Sequence, residues 1–193
     1  MTSSSFHLLR EGDGILLRLQ SRDGTNRLSR ALLQDLHQAI IDLARENRPL
    51  VVTGSAHSFS AGAELGEIAA LDGPAAYEFA KMGQTLMQLV QDFPAPVYAA
   101  ISGYCMGGGL DLALACHRRI ASPHAVFGHR GAALGLITGW GGTQRLPRLI
   151  GKGRALEMLV AAERVSARRA LQRGLVDAIA EDPVAEAIRR IRR

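Results

Sequence analysis

Two short stretches set glycine among small and polar residues at the exits of apolar runs. The first is Ser58-Phe59-Ser60-Ala61-Gly62-Ala63-Glu64-Leu65, directly after Leu50 to Thr53. The second is Gly103-Tyr104-Cys105-Met106-Gly107-Gly108-Gly109-Leu110-Asp111-Leu112, directly after Val97 to Ile101. Each leads into a helical pattern. The first turn of a helix leaves backbone N–H groups without intrahelical partners, and glycine lets a ligand approach them closely. Two such amides converging on one carbonyl oxygen would make an oxyanion hole, holding the charge that develops there during reaction. Glycines that only serve tight turns are the plain alternative for either stretch alone.

Other chemistries lack their residues. Gly151-Lys152-Gly153 is missing the third glycine of a dinucleotide loop, and the chain has no GxxxxGK[ST], GxSxG or HExxH. Cys105 and Cys116 stand in apolar context without metal-type spacing, so buried reduced thiols and no metal are expected.

The elements around these stretches follow from periodicity. Ile15 to Gln20 reads as a strand with a turn at Arg22-Asp23-Gly24. Ser29 caps a helix whose stripe is Leu32, Leu36, Ile40 and Leu43, running through Glu46. Leu50 to Thr53 is a strand opening into the loop Gly54 to Ser60. A long helix follows Pro74 and ends before Pro94. Val97 to Ile101 is a strand, Gly103 to Gly109 is expected to be irregular, and Leu110 to Cys116 is a buried helix. Then come a strand at Arg119 to Ala121, helices at Arg154 to Ala162 and Ala167 to Arg173, the pair Leu175-Val176, and a last helix after Pro183. Alternating strands and helices predict an α/β fold with a mostly parallel sheet, whose strand exits are where ligands bind. No linker divides residues 1–193, which are expected to form a single domain with 151–193 as a reduced C-terminal helical region.

Composition bounds the setting. The 193 residues are 47% hydrophobic and 21% charged, which is globular and not disordered. No signal-peptide pattern opens the chain, and no apolar run is long enough for a membrane helix, so a cytoplasmic protein without membrane association is expected. The net charge of +5 suits an anionic partner. With 5% aromatic residues and no helix-turn-helix, RNP or zinc pattern, nucleic acid ranks last among such partners.

Four blocks resemble, in order, the signatures of the crotonase (enoyl-CoA hydratase/isomerase) superfamily. They are FSAGAELGEI (Phe59 to Ile68), APVYAAISGYCMGGGLDLALACHRRIA (Ala95 to Ala121), LGLITGWGGTQRLPRLIG (Leu134 to Gly151) and SARRALQRGLV (Ser166 to Val176). The resemblance implies the ClpP/crotonase spiral of ββα units, with its C-terminal helical part shortened. It implies an acyl-CoA thioester as substrate, coenzyme A present only as part of that substrate, and a homo-oligomer, trimer or hexamer. By motif position the oxyanion hole falls on the N–H groups of Ala63 and Gly108. Ser60, Ala61, Gly62, Gly107 and Trp140 fall on substrate- and CoA-binding positions.

The acid/base residues depart from that pattern. Asp111 stands where hydratases of the family carry their first glutamate, and Gly131 stands where FGxPE would supply the second, since this chain reads FGHRG. Asp111 could equally sit in a first helical turn for the macrodipole alone. His129, beside the missing carboxylate, is the candidate substitute acid or base. Arg130 either holds an anionic group or is solvated, and Trp140 either shapes the acyl pocket or fills core. The basic residues Arg145, Arg148, Lys152 and Arg154 either attract phosphates or make a solvated face. Three readings of the chain remain. They are hydratase-like addition or loss of water, isomerisation or decarboxylation through the same enolate, and a non-catalytic acyl-CoA-binding protein.

Overall fold

The computed structural model describes residues 2–3 and 5–192. The chain begins with β1 (Thr2–Ser3), β2 (Phe6–Glu11), β3 (Gly14–Leu19), β4 (Arg27–Leu28) and α1 (Arg30–Ala44). It continues through β5 (Leu50–Thr53), β6 (Ser58–Ser60), β7 (Gly62–Ala63), α2 (Leu65–Ala69) and α3 (Gly73–Gln91). The middle holds β8 (Val97–Ile101), β9 (Tyr104–Met106), α4 (Gly108–Ala115), β10 (Arg118–Ala121), β11 (Val126–Gly128) and a 3-10 turn, Gly131–Leu134. Last come α5 (Gly142–Ile150), α6 (Lys152–Val160), β12 (Val165–Ser166), α7 (Ala167–Arg173), β13 (Ala178–Ile179) and α8 (Pro183–Ile191).

Side-chain chemistry sets the helix starts. Ser29, Asp72, Ser166 and Asp182 each accept a hydrogen bond from a backbone N–H in the first turn of α1, α3, α7 and α8. Pro74 lies in the first turn of α3, where a missing N–H costs nothing. The predicted stripe of α1, Leu32, Leu36, Ile40 and Leu43, is buried, with Leu33 beside it.

Three sheets result. The largest runs in the order β1-β2-β3-β5-β8-β10-β13, a second runs β12-β11-β9-β6, and β4 pairs with β7. Pairing is antiparallel in the β2–β3 hairpin but parallel from β3 through β5, β8, β10 and β13. The chain climbs by a repeated step: β5, β8 and β10 lie side by side in the large sheet, and each is followed by a strand of the small one, β6, β9 and β11. The parallel neighbours β6–β9 and β9–β11 centre on Cys105, opposite Ser60 and Phe127. One apolar cluster fills the space between, with Phe59, Cys105 and Phe127 fully buried. The other face of the large sheet, at Leu16, Val51, Ala100 and Ile120, is covered by α8 through Ala187.

One local expectation is corrected. Tyr104–Met106 is a strand, because β6 and β11 flank it and satisfy its backbone despite the glycines around it. The third block, Leu134 to Gly151, contains a helix, α5, that carries Pro147 within it. Of the β2–β3 hairpin only β3 was read from the sequence, as Ile15 to Gln20; β2 was not, and the turn between them rests on Gly12 at φ +56°.

Candidate active site

The two glycine stretches meet. A Cβ placed on Gly62 would come within 2.8 Å of the Met106 carbonyl oxygen and 3.1 Å of the Gly108 nitrogen. Gly62 and Gly107 both take positive φ, +99° and +51°, which a side chain would resist. In the parallel pair of β4 and β7, Ala63 lies opposite Leu28, and the Glu64 N–H donates to the Leu28 carbonyl at 3.4 Å. Strand alternation then turns the Ala63 N–H away from β4. Gly108 begins α4, so its N–H has no intrahelical acceptor. Ala61, Gly62, Ala63, Gly107 and Gly108 all line one cleft of about 290 Å³.

Ser60 is not among them. Its buried hydroxyl donates to the Asn26 carbonyl at 2.7 Å and accepts from the Gly62 N–H at 3.2 Å, so it holds the loop from behind. This corrects its expected place on the substrate path. Glu64 caps α2 and Glu67 accepts from the Arg30 N–H at 2.7 Å, both in structural roles. Trp140 lines the cleft floor while packing edge-on against Phe79, with ring centroids 5.4 Å apart. Its ring lies so close to Gly108 and Gly83 that a Cβ on either would meet it at 2.2 Å. Glycine at 108 is therefore required by the indole as well as by any ligand.

Asp111, in the first turn of α4, and His129, just after β11, are both almost wholly buried and both line the cleft. Asp111 Oδ2 accepts a hydrogen bond from the Thr138 hydroxyl. Asp111 Oδ1 and His129 Nε2 lie 3.4 Å apart, and neither has a hydrogen-bond partner. Such buried unpaired atoms are rare in folded proteins. The pair can approach because α5 starts with glycine: a Cβ on Gly142 would reach within 2.2 Å of Asp111 Oδ1 and 2.9 Å of His129 Nε2.

Burial sets the charge of both groups. Loss of solvation raises the Asp111 carboxyl to about 7, a rise partly offset by the Thr138 hydroxyl, the Arg145 charge and the backbone N–H groups of Trp140 and Gly142. Loss of solvation lowers the His129 imidazole to about 4. Near neutral pH the corner thus holds a neutral imidazole beside a carboxyl poised between its two forms, a state suited to proton transfer.

At Gly131 a Cβ would come within 2.8 Å of the Leu136 carbonyl oxygen, so the loop as folded leaves no room for a second carboxylate there. Arg130 is exposed at the mouth, shared between this cleft and an adjoining groove of about 380 Å³ that also includes His57 and Arg164. Arg145 donates to Gln91 Oε1 at 2.8 Å and to the Trp140 carbonyl at 3.2 Å, and neither it nor Arg148, Lys152 or Arg154 lines the cleft. Thr138 and Gly142 escaped the sequence reading. Nothing in local spacing ties Thr138 to a carboxylate 27 residues earlier. Among the described residues no cluster of His, Cys, Asp or Glu could hold a metal ion, and no helix is long and apolar enough to cross a membrane.

Known proteins share the sequence pattern and the fold of this chain. The family model described as enoyl-CoA hydratase/isomerase matches residues 11–193. A Bacillus subtilis (strain 168) protein described as "Probable enoyl-CoA hydratase" is 41% identical over 160 residues, covering 81% of this chain and 62% of that protein. The chain thus spans under two thirds of that relative's length. Among solved structures, Pseudomonas aeruginosa DspI superposes with a TM-score of 0.94 at 36% identity, over 98% of this chain and 74% of that one. The enoyl-CoA hydratase from Bacillus anthracis superposes with a TM-score of 0.92 at 35% identity, over 97% of this chain and 75% of that one. By sequence and by fold, the chain belongs to the enoyl-CoA hydratase/isomerase family of the crotonase superfamily.

Proposed function

We propose that this chain adds water across the double bond of a 2-enoyl-CoA thioester, or removes it in the reverse direction. The thioester oxygen accepts hydrogen bonds from the N–H groups of Ala63 and Gly108, which stabilise the enolate-like charge. Each donor of this kind is worth about 3–4 kcal/mol in acyl-transfer enzymes. Neutral His129 takes a proton from water through Nε2 as the oxygen bonds to the β-carbon. Protonated Asp111 delivers its proton from Oδ1 to the α-carbon. The imidazolium then returns a proton to the carboxylate across the 3.4 Å gap, which restores both groups and leaves one water added.

The reading is carried by one observation: the two buried polar atoms without a partner, Asp111 Oδ1 and His129 Nε2, lie together in the cleft that the glycine junctions line. The substrate is a CoA thioester, coenzyme A belonging to it rather than to the protein. The working form is a homo-oligomer, a trimer or hexamer, in the cytoplasm. Incubation with crotonyl-CoA, with products weighed by mass spectrometry, tests the reading. A gain of one water is expected, and saturable binding without any conversion of a thioester panel would overturn it in favour of a non-catalytic acyl-CoA-binding role.

A second reading has its own support. Among the described residues Asp111 is the only carboxylate lining the cleft, and a single carboxylate suffices to move a proton between carbons or to protonate an enolate after CO2 loss. A double-bond shift or decarboxylation in the same assay would select it.

A further inference from the structure

Asp111 rests against the segment 138–142, and that segment is tied down from outside the cleft. The Thr138 hydroxyl donates to the carboxyl, and the backbone N–H groups of Trp140 and Gly142 also favour its ionised form. Two carbonyls of the same segment accept from side chains that do not line the cleft. Gln84 Nε2 on α3 donates to the Gly139 carbonyl at 2.7 Å. Arg145 Nη1 on α5 donates to the Trp140 carbonyl at 3.2 Å. The same guanidinium reaches α3, where Nε donates to Gln91 Oε1 at 2.8 Å and Nη2 to Gln88 Oε1 at 3.5 Å. The Gln88 amide donates to Asp92 Oδ2 at 2.8 Å, which leaves its oxygen for Arg145. Gln84, Gln88 and Gln91 are spaced four and three residues apart, so they form one row on α3. The guanidinium is closely seated: Gly141 takes φ +101°, and a Cβ there would run into Arg145 Nη1.

We infer that Arg145 and the glutamine row of α3 are positioning residues, a clamp on the back of the segment 138–142 that holds its donors against Asp111. The inference rests on the hydration reading above for its kinetic part and adds the residues that set the acid in place. Arg145 can act on Asp111 in two ways, through its charge and through its hold on the segment. Gln84 carries no charge and shares only the second. The planar guanidinium serves three acceptors at once, which a lysine ammonium on its flexible stem does not reproduce. The charges that act on the guanidinium are Asp111, Asp92 and Arg148, and Asp111 meets His129 on its other side. Small displacements of a proton-transfer group are costly to rate, so a clamp remote from the substrate still governs turnover.

The test follows the Asp111 carboxyl directly, by NMR of the full chain labelled with carbon-13 at its aspartate carboxyls. The Asp111 signal is the one lost in Asp111→Asn. Arg145→Met and Gln84→Ala are both expected to move its titration midpoint up, by at least about half a pH unit, as the donors withdraw. Gln84 is exposed, so its replacement leaves the core untouched. With crotonyl-CoA at about pH 5.5, where Asp111 is protonated and His129 neutral, each variant is expected to lose about three- to tenfold in kcat with KM unchanged. Arg145→Lys keeps the charge without the fork, and is expected to recover part of the midpoint but not the rate. Wild-type midpoint and kcat in Gln84→Ala, with full recovery in Arg145→Lys, would overturn the clamp and leave Arg145 acting by charge alone. A wild-type chain that hydrates no thioester would overturn the hydration reading instead. The carboxyl titration then decides the clamp by itself: raised midpoints in both variants support it, and an unmoved one in Gln84→Ala overturns it.

Discussion

Arg119 and Asp111 are both ionisable side chains sunk into the interior, and their surroundings differ in kind. The Arg119 guanidinium donates to the carbonyls of Leu175 and Cys116 at 2.9 and 2.7 Å and to Asp177 Oδ2 at 3.3 Å. Asp177 also accepts from the Arg119 backbone N–H and from Arg118. Every strong donor there is matched, and the cluster ties β10 to the stretch before β13. Asp111 keeps one oxygen for Thr138 and leaves the other unpaired opposite an unpaired imidazole nitrogen. A satisfied buried charge holds a fold together. An unsatisfied one, lining a cavity, costs stability and is kept where a reaction needs it.

Breaking each centre in turn separates these roles. Asp111→Asn is expected to lower turnover of a 2-enoyl-CoA by about a hundred- to ten-thousandfold, the range for removing a proton-transfer group. Thioester affinity should change little, as titration of the variant would report. Stability at pH 8 should hold or rise, because the native state no longer carries a buried carboxylate. Asp177→Ala is expected to do the reverse. Leaving Arg119 buried without its carboxylate should cost about 3 kcal/mol in a denaturant melt, with turnover per folded molecule unchanged.

A pH series sharpens the contrast. Native Asp111 holds its proton to about pH 7, well above an unfolded aspartate, so its ionisation penalises the native state and stability falls as pH rises from about 4 to 7. Native His129 stays neutral down to about pH 4 while an unfolded histidine is protonated below about 6.5, so its contribution rises with pH across about 4 to 6.5. The two slopes oppose and largely cancel in the intact protein. His129→Gln should therefore add a falling slope relative to wild type, and Asp111→Asn a rising one, each at most about 1.4 kcal/mol per pH unit. Slopes of the same sign in both variants would contradict the charge assignment.

The smallest effect concerns Thr138. Its hydroxyl favours the ionised carboxylate, so Thr138→Val should push the Asp111 carboxyl further up and move the pH–turnover profile to higher pH. Turnover at neutral pH should hold or rise by up to about twofold as the protonated fraction grows, with Thr138→Ser restoring the profile. A uniform loss without a profile shift would make Thr138 a packing residue only.

Much of this was legible in the chain itself. The cap at Ser29, the buried stripe of α1, the strand Val97 to Ile101 and the span of α7 depend on residues a few positions apart, where local rules hold. The glycines at 62, 107 and 108 were legible for the same reason, since a tight exit from a strand is written in adjacent residues. The strand at Tyr104–Met106 was misread because its pairing with β6 and β11 outweighs its composition.

By itself, then, the sequence determined where the backbone turns, which helix faces are apolar and where two strand exits could present their amides. Folding alone decided that Asp111, His129, Thr138 and Gly142, drawn from four separate segments, would share one buried corner. The reason is physical. Backbone conformation is fixed by neighbours along the chain, whereas burial, and the lack of a hydrogen-bond partner that comes with it, is set by whatever the rest of the molecule packs against a side chain.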